Sequence, residues 1–177
     1  MSARSALRSA TRAAHERVDA AFAAHDLAAL PAYGRFLQAQ AAALLPVERA
    51  LGSAGADALA EAWDEHRRAP LLIADLAALE LAPGPFVTPP AYASDAHLAG
   101  GLYVIEGSRL GGAVLRRQVP GAFPSAFLSA RQAPGRWPRF VANLDRLLYS
   151  PQRVESAIEA ALATFACFET AAGRGVA

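Results

Sequence analysis

Five of the chain's thirteen glycines fall between Gly100 and Gly112: Gly100, Gly101, Gly107, Gly111 and Gly112. Around them stand Leu102, Tyr103, Val104, Ile105 and Leu110, where a loop would carry Pro, Asn, Asp or Ser. The stretch runs on into Ala113-Val114-Leu115-Arg116-Arg117, good helical material. Each glycine inside a helix costs about 1 kcal/mol relative to alanine. In a chain this rich in alanine, the glycines point to a close approach. Either another helix or a flat ligand comes so near the backbone that a methyl group would collide.

The 177 residues are enough for one domain with a substantial core, 54% of them being apolar and 19% charged. We expect a single domain over 1–177, with 173–177 as a frayed tail. A formal charge of +1 argues against binding nucleic acid by bulk electrostatics. All seventeen basic residues are arginine, the better fork for carboxylates and phosphates. The lone Cys167 excludes an internal disulfide and any cysteine-based metal cluster. The first residues hold no apolar core long enough for a signal peptide, and no run of about 18 apolar residues suggests a membrane span. A cytoplasmic protein is expected.

Nearly every segment between prolines or glycines has helical period. Leu7, Thr11, Ala14, Val18 and Phe22 predict a helix from about Ser5 to Ala24. A second begins at Pro31 and runs to about Leu51, and a third spans Ala56 to Leu81, broken or kinked at Pro70. Pro83-Gly-Pro85 and Pro89-Pro90 mark an irregular connection. The glycine-bearing helix starts at Ser94-Asp95 and ends before Pro120. After a Pro/Ser/Gly-rich passage come helices from Trp137 to Leu148 and from Ser150-Pro151 to about Ala172. The pattern predicts an all-α bundle of six to seven helices.

Several chemistries are excluded by motif. No two of His15, His25, His66 and His97 have the i, i+4 spacing of a helical zinc site. Neither a nucleotide-binding glycine loop nor a Gly-x-Ser-x-Gly elbow occurs. His15 lies beside the apolar stripe of the first helix. Arg8 sits two turns back, about 10 Å along the axis, Arg12 one turn back and Asp19 one turn forward. By spacing alone, His15 is either a metal ligand with a supporting carboxylate or a boundary histidine among surface charges. His25 and His97 read as caps or surface groups, and Cys167 as a small buried hydrophobe.

The stretch from Leu7-Arg-Ser-Ala-Thr-Arg through His15 to Asp19 resembles the proximal-helix motif of haem oxygenases. Tyr103-Val-Ile-Glu-Gly107-Ser-Arg-Leu-Gly111-Gly112 resembles their distal helix, closest to the bacterial branch associated with phytochromes. The resemblance implies His15 as iron ligand and Asp19 as a hydrogen-bond partner of its other ring nitrogen. It places Arg8 and Arg12 at the haem propionates, with Arg136 and Arg139 as further candidates. Tyr103 would line the cofactor. Gly107, Gly111 and Gly112 would let the distal helix kink and lie almost on the porphyrin, with Ser108 among them. In animal-type members an aspartate follows the first distal glycine. Ser108 leaves the route of proton delivery open, with Arg109 or a backbone-anchored water chain as contributors.

The resemblance further implies haem b as both substrate and cofactor, O₂ as co-substrate, and biliverdin, CO and ferrous iron as products. Electrons would come from an external donor, a ferredoxin or flavoprotein reductase, meeting a basic surface that includes Arg116 and Arg117. A bacteriophytochrome is the implied acceptor of the bilin. Three alternatives stand beside this reading. One is a haem-binding or haem-transfer protein of the same fold with little turnover. Another is a fold relative acting on thiamine-type substrates, which Cys167 so near the C-terminus disfavours. A structural helical module would leave the glycines unexplained.

Overall fold

Serines and prolines set the helix starts in the computed structural model, which describes residues 2–174. The helices are α1 (Ala3–Ala23), α2 (Leu30–Ser53), α3 (Trp63–His66), α4 (Ala69–Ala78), α5 (Asp95–Arg116), α6 (Ala126–Ser129), α7 (Arg136–Leu147) and α8 (Pro151–Arg174). A 3-10 turn covers Ala56–Ala58, and no strand occurs among the described residues. The all-α expectation holds. Ser2 caps α1 by accepting from Ser5 N–H, and Ser94 caps α5 by accepting from His97 N–H. Pro31 and Pro70 both occupy first-turn positions, where a missing N–H costs nothing. Pro70 therefore starts a helix, and the single helix expected over Ala56–Leu81 is divided into the 3-10 turn, α3 and α4. Of the expected tail, Gly173 and Arg174 are helical, and residues 175–177 lie outside the described residues.

Pro46, inside α2, has a structural consequence. It has no N–H to give the carbonyl four residues back, that of Ala42. Val87 N–H takes that carbonyl instead at 3.0 Å, and Gly84 N–H bonds Gln38 O at 3.2 Å. The proline-rich connection between α4 and α5 is thereby fastened to α2 by main-chain bonds.

Helix α8 packs against α1, α2 and α5. Its alanines Ala157, Ala160 and Ala161 are buried, so neighbouring helices lie close. At Gly100 a Cβ would overlap the backbone of Ala157, and at Gly101 one would overlap the Tyr92 ring and stand 2.8 Å from Leu51 Cδ2. Backbone cannot move aside as a flexible side chain can, so Gly100 is a condition of the α5–α8 contact. These two glycines belong to packing.

Candidate functional site

The two sequence motifs meet through Tyr103 and the ring beside it. Tyr103 is half-buried on α5, with the α1 groups Arg4, Arg8 and Thr11 close enough to act on its phenol. Burial pushes that phenol up, against the opposing pull of the two arginines and the Thr11 hydroxyl. Trp137, from α7, lies 5.8 Å from the Tyr103 ring centre, and its own ring edge is 3.5 Å from where a Gly107 Cβ would sit. The Arg8–Thr11 part of α1 thus comes close to the Tyr103–Gly107 part of α5. His15 lies one further turn along α1 and Gly111 one further turn along α5.

His15 is exposed. Its ring meets Phe165 of α8 edge-on at 5.7 Å between centres. The Asp19 carboxylate is 3.6 Å from Nε2, an ion-pair approach longer than a hydrogen bond. One ring nitrogen thus has the carboxylate beside it and the other is free to bind a metal. Arg8 and Arg12 are exposed and enter no ion pair among the described residues. Arg4, one turn before Arg8 and equally exposed, joins them; its i−4 spacing was the available signal.

The distal glycines differ in kind. A Cβ at Gly111 would meet nothing within 4 Å, one at Gly107 would make ordinary contact with Trp137, and one at Gly112 would lie 3.5 Å from Leu128 O. Packing inside this chain therefore does not require Gly107 or Gly111. Beside them Leu110 is 56% and Val114 58% exposed, an apolar surface on the same half of α5. An open backbone, uncovered apolar side chains, a free imidazole and three unpaired arginines together fit a flat, largely apolar ligand with anionic edges. Helix α5 is continuous through the glycines, from Asp95 to Arg116.

A buried charge network stands behind this face. Glu106, 1% exposed, accepts from Arg136 Nε at 3.1 Å and Nη2 at 3.2 Å, and from Gln132 Nε2 at 3.1 Å. Arg109 Nε is 3.4 Å from the same carboxylate, paired in charge but not aligned as a hydrogen bond. Burial would raise the Glu106 pKa; the Arg136 bonds, the charges of Arg109 and Arg136, and the Gln132 bond bring it below the usual range. Arg136 also donates to the Glu61 carbonyl. Its guanidinium is committed to the interior, so the structure does not place it at a ligand edge. Arg139, one turn on, is exposed. Arg109 likewise turns inward, to Glu106 and the His66 carbonyl, away from the open face.

Two further buried acids serve as helix caps. Glu48 accepts from the backbone N–H of Arg68 and Ala69 at the start of α4, and Asp75 accepts from those of Ala126 and Phe127 at the start of α6. Burial raises the Glu48 pKa despite those bonds and the nearby Arg68 and Arg109 charges. Arg68 then reaches Ser108, a contact that no motif in the sequence signals. His25 is buried against Phe22 and Phe36 with Nδ1 3.2 Å from the Phe22 carbonyl, so of the two expected roles it takes the cap, at the end of α1, while His97 bonds the α5 cap Ser94. Cys167 is buried, as expected.

No family model matches the chain. A protein of Xanthomonas campestris pv. campestris (strain 8004) named heme oxygenase is 42% identical over 114 residues, spanning 61% of this chain and 68% of that protein. In fold, the chain is similar to the heme oxygenase of Neisseria meningitidis, solved with NO and CO bound. The TM-score is 0.83 at 24% identity, over 99% of this chain and 92% of that one. The extent and identity of the first match, on a fold shared with the second, show that this chain belongs to the haem oxygenase family.

Proposed function

We infer that the chain opens haem b oxidatively to biliverdin, CO and ferrous iron, consuming O₂ and externally supplied electrons. The observation that carries this reading is the bare backbone at Gly111, on a helix that comes close to the helix bearing His15. When bound, haem supplies both the iron that activates O₂ and the ring carbon that is lost. The chain's own residues do the rest. His15 ligates through its free nitrogen, and Asp19 orients the imidazole and raises its basicity. Arg8 and Arg12, with Arg4 beside them, pair with the propionates, and Arg139 is the remaining candidate from α7. Tyr103 and Trp137 form an aromatic side wall. Gly107, Gly111 and Gly112 keep side chains off the distal face, and Ser108 offers it a hydroxyl. With haem bound, the bare backbone at Gly107, Gly111 and Gly112 would lie against the ring and so help to set which ring edge is attacked.

No flavin or nicotinamide motif occurs in the sequence, so electrons come from a ferredoxin or flavoprotein reductase. A cleft of about 430 Å³ beginning beside Leu110 on α5 is lined by Arg116, Arg117 and Arg131 and by no carboxylate. That surface suits an acidic donor. The distal motif Tyr103–Gly112 supports a bacteriophytochrome as acceptor of the bilin. No described helix is long and apolar enough to cross a membrane.

The test is to add haem, O₂ and either ascorbate or a ferredoxin system and follow the biliverdin band. The wild-type protein should produce it; stable haem binding without product would instead favour a haem carrier. Gly111→Leu should keep the helix content and lose most turnover, since its Cβ meets no protein atom within 4 Å and the side chain enters the open face. Full turnover in that variant would defeat the steric account. Raising ionic strength should slow the ferredoxin-driven reaction and spare the ascorbate-driven one; equal response of both would exclude charge-guided docking.

A further inference from the structure

We propose that Arg68 is a positioning residue for the distal face: its guanidinium fixes the Ser108 hydroxyl and places a positive charge behind it. This rests on the functional reading above. Ser108 stands where animal-type members have an aspartate, and a serine alone brings no charge. Here the charge arrives from the start of α4. Arg68 Nη2 lies 2.5 Å from Ser108 Oγ and 3.4 Å from the Ile105 carbonyl, while the Ser108 hydroxyl donates to that same carbonyl at 2.8 Å. The serine's proton is therefore spent and one lone pair is taken. What it can offer outward is a single acceptor site, able to hold a water by the water's own proton.

The guanidinium is built in. Arg68 is 5% exposed, and its charged end lies 5.2 Å from the Phe127 ring centre. Its Nε is buried without a partner. Among the described residues no carboxylate forms an ion pair with it. From α2, Glu48 spends both oxygens on backbone N–H groups. From α5, Glu106 is occupied by Arg136, Gln132 and Arg109, and Arg109 adds a second positive charge. Burial, then the charge of Arg109, bring the Arg68 pKa down to about 10, Glu48 and Glu106 opposing; it remains a cation at neutral pH. Glu48 and Glu106 offset that charge only in part, without bonding the guanidinium, and it reaches the open face through one hydroxyl.

A fixed cation favours the deprotonated form of whatever water the hydroxyl orients. The test is the acid–alkaline transition in the spectrum of the ferric haem-loaded protein, which needs no turnover. Arg68→Gln should raise the midpoint by roughly half a pH unit or more, and Arg68→Lys should stay near wild type. Ser108→Ala should also move it, and the double variant Arg68→Gln/Ser108→Ala should shift by less than the sum of the two. An unmoved midpoint in Arg68→Gln, or strict additivity, overturns the proposal. If Arg68→Gln does not fold, Ser108→Ala decides alone, since Ser108 is exposed and its loss leaves the helix intact; an unchanged midpoint there also overturns it. A wild-type protein that takes up no haem overturns the functional reading and this proposal with it. Normal wild-type binding with unmoved variants overturns only the role of Arg68.

Discussion

Replacing His15 by alanine is expected to leave a folded protein that has lost turnover by more than about 100-fold, beyond the 10–100-fold typical of removing a ligand's outer partners. The two halves of that expectation have separate causes. His15 is exposed and its ring meets Phe165 edge-on, so its removal should change stability by no more than about 0.5 kcal/mol. The iron, by contrast, loses its protein ligand. Absorption spectra of the haem-loaded variant should show altered ligation, and added imidazole should restore part of the wild-type spectrum. An unchanged spectrum would assign the ligand elsewhere. Asp19→Asn should have the milder effect of a lost orienting group.

Removing Glu106 should do the opposite, costing stability before chemistry. Glu106→Ala leaves Arg136 and Arg109 buried without their counter-charge, a situation worth about 3–5 kcal/mol. For a domain of this size that lowers the thermal midpoint by roughly 10 °C. The pH dependence has a definite sign. The folded-state pKa of Glu106 lies below its ordinary 4.5, so its contribution is complete above that value and is lost as pH falls through the folded pKa. Wild type should therefore weaken on acidification below about pH 4.5 more steeply than Glu106→Gln, which has no carboxyl to protonate there. Urea denaturation of both proteins across pH 3–7 checks this. A Glu106→Ala variant as stable as wild type would mean that the network is only tolerated.

These two residues also mark how far the sequence could be read. His15 sits in a local pattern, with Leu7, Thr11 and Asp19 at helical spacing, so both its helix and its role were legible. The same holds for the caps: Ser94 and Pro151 announce α5 and α8 within a residue or two. Glu106 was legible as a distal acid or, more simply, as the partner of a nearby arginine or a helix-face charge. Its main partner, Arg136, is thirty residues away, and Gln132 and Glu61 come from irregular segments whose paths no periodicity fixes. Arg136 was accordingly expected at a propionate and is found inside. Arg68 gave no signal at all, because its value depends on α4 ending up beside α5. The glycine cluster fell between these cases. The distal motif already left Gly100 and Gly101 to helix entry or packing, while the atoms they pack against, the Ala157 backbone and the Tyr92 ring, needed the neighbouring helices.

That division makes α5 a lever. Its first half is gripped at Gly100 and Gly101, where backbone meets backbone and aromatic ring, and the grip can neither slide nor yield. From Gly101 to Gly111 the arm is about 15 Å long, so a tilt of about 4° at the grip moves Gly111 by about 1 Å. What restrains the far half includes polar bonds at Glu106 and Ser108, which can stretch and re-form. Small adjustments near Ala157 are thereby magnified at Gly111, where the helix would cover its ligand.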